Sequence, residues 1–162
     1  MKAIDLAYIA GIVDGEGYVG IKKVKALNGG RVNPSYHERI QIRMVDEPAI
    51  KFIADTLGGN YYKEKAHCNN GRPLYCFQSN DASSVHIIKS LLPYLRIKNT
   101  VALTVLQLRK LKENPDKISV PIRMRGRWGK IITRPTWRYS SEHIDNCDKL
   151  WRKCRELNRV GA

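Results

Sequence analysis

Ile9-Ala10-Gly11-Ile12-Val13-Asp14-Gly15-Glu16-Gly17 is the stretch that decides the architecture of this chain. An apolar run with helical spacing begins near Asp5 and reaches Gly15, with Gly17 behind it and two acids, Asp14 and Glu16, at its C-terminal end. That end of a helix is the negative pole of its macrodipole, so acids there are disfavoured unless a cation or donor compensates them. Ala7, Ala10 and Gly11 are small enough for a second backbone to approach closely. Together these features read as one half of a tightly packed helix pair that delivers carboxylates to a metal. The alternative is a Gly-terminated amphipathic helix whose acids are solvated.

Outward from this helix, Tyr18 to Lys25 begins as an alternating strand, and Asn28-Gly29-Gly30 and Asn33-Pro34-Ser35 mark turns. The next strand has Ile40, Ile42 and Met44 on one face and His37, Arg39, Gln41 and Arg43 on the other. Asp46-Glu47-Pro48 opens a helix with acids and a proline in its first turn, and Gly58-Gly59 stops it. Strands are expected at about 60–66 and 73–79, joined by a hairpin through Asn69-Asn70-Gly71-Arg72-Pro73. Asp81 caps a helix that Pro93 breaks, and another helix covers roughly 98–113. The order α-β-β-α-β-β-α, with further helix behind it, predicts an α+β fold with helices on one sheet face and the other face free.

Residues 1–113 form the expected core, and 114–162 a basic C-terminal extension of the same domain with a terminal helix over about 141–158. In the extension Arg123, Arg125, Arg127, Lys130, Arg134 and Arg138 are punctuated by Pro115, Pro121 and Pro135, and interleaved with Trp128, Trp137 and Tyr139. These cations show no strict strand or helix period. The segment therefore reads as an extended one lying on nucleic acid and holding backbone phosphates, with a solvated loop as the alternative.

Twenty-nine Lys and Arg against 15 Asp and Glu give the 162 residues a formal charge of +14, which favours a polyanionic partner through counterion release. No apolar run approaches the length that spans a bilayer, so nucleic acid is preferred over a membrane. The four cysteines at 68, 76, 147 and 154 lack Cys-x-x-Cys spacing, and the four histidines complete no zinc pattern. Free thiols suit a reducing, intracellular compartment.

The nonapeptide resembles the LAGLIDADG motif of homing endonucleases, with Ile9 and Ile12 in place of Leu, Val13 for Ile, Gly15 for Ala and Glu16 for the second Asp. The likeness continues into Leu91-Leu92-Pro93-Tyr94-Leu95-Arg96-Ile97-Lys98, similar to the family segment that ends in a basic active-site residue, and covers about residues 4–112. It implies the single-motif, homodimeric type: an αββαββα fold with a saddle-shaped antiparallel sheet and C-terminal helices. The implied activity is double-strand cleavage of DNA at a long pseudo-palindromic site. Glu16 then matches the metal-binding acid and the Gly15 carbonyl its companion ligand for Mg²⁺ (or Mn²⁺). Asp14 matches the motif's other acid, read here as mainly structural. Lys98 matches the active-site lysine, and Asp46 a polar residue that organises active-site waters. The basic residue expected beyond it falls near Ile50-Lys51, a departure from the pattern.

One motif supplies one such acid per chain, so a homodimer paired through Ala7, Ala10 and Gly11 is expected to bring two Glu16 side chains together. DNA reading falls to the open sheet face: Tyr18 and Lys22 on the first strand, His37, Arg39, Gln41 and Arg43 on the second, Tyr61, Lys63 and Lys65 on the third, then Arg72 and Tyr75. Arg123, Arg125 and Arg127 add phosphate contacts. Two other functions stay open, an RNA-binding intron maturase and a DNA-binding regulator without catalysis.

Overall fold

The computed structural model describes residues 2–25, 33–64, 72–125 and 127–160. Lys65, His67, Cys68, the turn at 28–30 and most of the hairpin at 69–73 lie outside them. In chain order the elements are α1 (Ala3–Glu16), β1 (Gly17–Val24), β2 (Ser35–Met44), α2 (Glu47–Leu57), β3 (Tyr61–Glu64), β4 (Leu74–Asn80), α3 (Asp81–Leu91), α4 (Asn99–Glu113), β5 (Lys117–Arg125), β6 (Ile131–Tyr139) and α5 (Ser141–Val160). The fold is α+β, with an antiparallel sheet in the order β1-β2-β4-β3 and a separate two-stranded ribbon, β5-β6.

Val19, Ile21, Ile40, Ile42 and Phe77 point from the sheet into a core completed by Ile9 and Val13 of α1, Ile50 and Ile53 of α2, Ile88 and Leu91 of α3, and Val105 and Leu108 of α4. Each of these large side chains gains about 1.5–3 kcal/mol from burial, which fixes the register of every core strand. α1 continues to Glu16, so Gly15 is within the helix and Gly17 ends it. A Cβ on Gly17 would stand 2.7 Å from the Val13 Cα, and only glycine fits where the chain turns straight from helix into β1.

Three further differences from the sequence reading concern α3, β3 and the basic extension. Asn80, not Asp81, precedes α3 as its cap; Asp81 has φ 54° and gives its carboxylate to His37 and Lys112. β3 pairs Tyr61 with Phe77, Tyr62 with Cys76, and Lys63 with Tyr75. Phe77 is a core residue, so Tyr61, Lys63 and Tyr75 share the helix-side face, while Tyr62 and Glu64 face the open side. In the extension β5 and β6 form a regular ribbon whose facing pair Pro121–Pro135 is tolerated because both strands are edges.

α5 packs against α4 and runs along the free edge of β1, where the Asn158 side-chain amide donates to the Val19 carbonyl at 3.0 Å. At its other end Asp148 binds Lys23 and accepts from the Tyr36 hydroxyl at 3.0 Å. The helix thereby covers an edge that would otherwise present unpaired backbone groups. The described cysteines, Cys76, Cys147 and Cys154, are free and buried. Among the described residues no helix is long and apolar enough to cross a membrane.

Candidate active site and nucleic-acid interface

The acids at the end of α1 are compensated by one short segment. Asp14 accepts backbone N–H bonds from Arg96 at 2.7 Å, Ile97 at 3.2 Å and Lys98 at 2.9 Å, which tie the last turn of α1 to the start of α4. Burial pushes the Asp14 carboxyl up, but these donors and the Lys98 charge outweigh it and hold the group below its ordinary value. The Lys98 ammonium donates to the Val13 carbonyl at 2.8 Å and the Asp14 carbonyl at 2.6 Å, filling the negative end of the helix with a cation. Burial lowers the Lys98 value, while the charges of Asp14 and Glu16 oppose that shift. Two of its three ammonium hydrogens are thus committed to backbone, and the third meets no acceptor among the described residues.

Glu16 is exposed beside this cation and opens onto a cavity of 600 Å³ on the open sheet face. Tyr18, Lys22, Arg39, Gln41 and Arg43 line its floor; Trp151, Asn158, Arg155 and Arg159 of α5 form one wall. Six cations against one carboxylate give the cavity a strongly positive lining, complementary to a polyanion. Gly20 has a specific part here, because a Cβ on it would collide with the Tyr18 ring, which lies flat over that position.

On this face the Arg43 side chain is half exposed and held by Glu64 at 3.0 Å. Arg39 donates to Gln78, and its Nε is buried without an acceptor among the described residues. Gln41 is only 8% exposed and donates to the Cys76 sulfur at 3.1 Å, so it forms the floor and is not a projecting reader. His37 binds Asp81 at 3.0 Å. Arg72 is exposed just before β4. Tyr61, Lys63 and Tyr75 do not reach the face, because Tyr61 donates to Glu47 at 3.0 Å and packs edge-on against Tyr75 on the helix side. Arg123 and Arg125 are exposed on the ribbon, whereas the side chain of Arg127, like Lys65, lies outside the description.

Sequence reasoning missed α5 as a wall of the groove. Trp151, Arg155 and Arg159, spaced four apart, were the available signal. It also missed Glu38, fully buried on the core face and paired with Lys112 at 2.6 Å.

On α1 the exposed stripe is Ile4, Ala7, Tyr8, Gly11 and Gly15. Ala10 is not on it: at 0% exposure it is sealed in the core, and its assignment to an interface is corrected. Nothing lies within 4 Å of a Cβ built on Gly11 or Gly15, so both leave open space on the outer face. Asp46 is the N-cap of α2, accepting from the Ala49 N–H at 2.8 Å. It follows β2 two residues beyond Met44, at the end of the sheet where Gly17 pairs with Ile42.

Solved structures share this overall fold. The homing endonuclease I-CvuI in complex with the I-CreI target superposes with a TM-score of 0.65 at 19% identity, over 95% of this chain and 82% of that one. The archaeal intron-encoded homing endonuclease I-Vdi141I complexed with DNA gives 0.60 at 15% identity, over 96% and 83%. The I-LtrWI LAGLIDADG homing endonuclease bound to target DNA gives 0.52 at 20%, over 67% and 38%. This is the LAGLIDADG homing-endonuclease fold. No protein-family model matches the sequence, and no curated protein matches it either. Within this fold the end of α1 and the open sheet face lie next to each other, with the groove beginning at Glu16.

Among the described residues no three His, Cys, Asp or Glu side chains converge. The oxygens at the end of α1, the Glu16 carboxylate and the Gly15 carbonyl, are hard donors of the kind that Mg²⁺ or Mn²⁺ takes.

Proposed function

We propose that this chain is a site-specific double-strand DNA endonuclease that works as a homodimer on a pseudo-palindromic target. The observation that carries the proposal is a cationic groove whose floor is an open β-sheet and which begins at Glu16, within the electrostatic reach of Lys98. A twisted sheet face offering Arg39, Arg43, Tyr18 and Lys22 suits base edges in the major groove, while Arg155 and Arg159 on the wall suit phosphates. A regulator without catalysis has no use for a carboxylate at the end of a groove built for a polyanion.

Mg²⁺ or Mn²⁺, held by Glu16 and the Gly15 carbonyl, would supply an activated water and charge neutralisation at the scissile phosphate. The remaining tasks fall to this chain. Lys98, anchored by two carbonyls, keeps its third hydrogen directed outward to stabilise phosphate charge or position the attacking water. Asp14 fixes that lysine's backbone in place. Asp46, exposed at the same end of the sheet, orders water. The exposed α1 stripe of Ala7, Gly11 and Gly15 is the contact with the second copy, bringing two Glu16 side chains to one axis.

Glu16→Gln keeps the shape and removes the charge. Its duplex affinity in Ca²⁺ should match that of the unmodified protein, while Mg²⁺-dependent cleavage of a target plasmid disappears. Cleavage at the unmodified rate would refute the assignment of Glu16.

A further inference from the structure

The β5-β6 ribbon stands apart from the rest of the molecule. Among the described residues only its two strands pack closely on each other, and the body touches it marginally. An isolated two-stranded hairpin is marginally stable in water, and this one exposes apolar groups on both faces, from Ile118 and Met124 to Trp137. At its tip Trp128 is 93% exposed in the left-handed region, φ 69°. Such a ribbon needs a surface to lie on, and its charge selects which. Lys117 to Tyr139 holds seven Lys and Arg and no acid, half of the +14 of the whole chain. A protein surface of mixed charge is a poor match, and a polyanion a good one.

The root of the ribbon places that polyanion. Tyr139 stacks on His143 at 4.9 Å between ring centres, and with Ser35 and His37 it lines a small cavity of 170 Å³. Ser35 pairs with Val24, the end of β1 opposite Gly17. Seven residues of strand separate that end from the Glu16 end, about 24 Å. The ribbon is therefore rooted at the outer end of the sheet, away from the candidate catalytic end.

We propose that the β5-β6 ribbon is a second sequence-reading element, lying in the major groove of duplex DNA beyond the outer end of the half-site that the four-stranded sheet covers. The proposal rests on the endonuclease reading above and lengthens its target at both ends. The pairing register puts Lys117, Ser119, Arg123 and Arg125 on one face with Trp137 and Ile131. A two-stranded ribbon fits the major groove, where Arg reads guanine and apolar groups meet the thymine methyl. Phosphate contact alone needs no fixed alternation, whereas this face holds its cations in strand register.

The test compares the full-length protein with Arg123→Gln/Arg125→Gln and with Trp128→Ala, all at exposed positions, by hydroxyl-radical footprinting and by selection from duplexes randomised at the outer positions. The unmodified protein should select bases over on the order of five base pairs outside each half-site, about half a helical turn. The double variant should lose that outer preference, bind the selected outer sequence about tenfold more weakly, and keep its inner preference unchanged. Trp128→Ala should shorten the footprint at its outer limit. Uniform weakening with the outer preference intact would overturn base reading by the ribbon and leave a phosphate clamp. An unchanged footprint and affinity would overturn the proposal outright, as would unchanged duplex binding beside lost binding to a structured intron RNA. If the unmodified protein protects an inner half-site only, the ribbon proposal fails and the endonuclease reading stands; if it protects no duplex, both fail.

Discussion

Asp14 and Lys98 solve a single electrostatic problem from two sides. The carboxylate takes three backbone N–H groups at the approach to α4, and the ammonium returns two bonds to the open carbonyls of α1. The helix end is neutralised without using Glu16, which is left exposed. Asp14→Asn should destabilise the fold by about 1–3 kcal/mol at neutral pH, because an amide cannot accept all three donors with the same strength. The sign of the pH effect follows from the depressed carboxyl. Its stabilisation is fully present above the unfolded-state value of about 4 and is lost as the pH falls through the lower folded value. Asp81 and Asp148 are also depressed, so the informative quantity is the difference between the unmodified protein and the Asp14→Asn variant. Urea unfolding from pH 7 to pH 2 should show the two stabilities converging below pH 4. Parallel curves would exclude this role for Asp14.

At the scale of elements, α1 is the decisive case. Its apolar residues run around the whole circumference, one side in the core and the other outside. Gly11→Leu places bulk where a Cβ meets nothing within 4 Å, so the protomer should keep its helical circular dichroism. Sedimentation should nonetheless find a monomer at concentrations where the unmodified protein is a dimer. An unmodified protein that sediments as a monomer would refute the symmetric two-site scheme. α2, α3, α4 and the long strand β2 were legible in the sequence because a single apolar stripe of several residues fixes their phase. β3 was not, because four residues with adjacent tyrosines fit either parity, and the partner strand decided it. The ribbon was missed for another reason. β5 alternates apolar with polar residues from Lys117 to Arg125, but Pro121 reads as punctuation until Pro135 is seen opposite it. Ala10 illustrates a further limit: small residues suit a helix pair and a crowded core equally well, and the sequence carries no mark of which neighbour is present.

Over the whole molecule, positive charge is concentrated in two places, the groove with its α5 wall, where six cations meet one carboxylate, and the ribbon rooted at the outer end of the sheet, whose segment holds seven Lys and Arg and no acid. In the proposed function, DNA reading and chemistry would be connected more directly than charge alone requires. α1 ends at Glu16 and β1 begins at Gly17, with no residue between them and no room at that junction for a side chain. In a dimer built on α1, the pivot between partners and the ruler laid along each half-site are one unbroken backbone. Such a molecule is a fixed-gauge caliper, unable to widen its jaws. Each base pair added at the centre of a target would shift the two halves apart by about 3.4 Å and rotate them by roughly 35°. Cleavage of targets lengthened or shortened there by one base pair should fall on the order of a hundredfold, the scale of loss that a misplacement of about 1 Å can bring. Equal cleavage across a spacer series would show that the junction flexes after all.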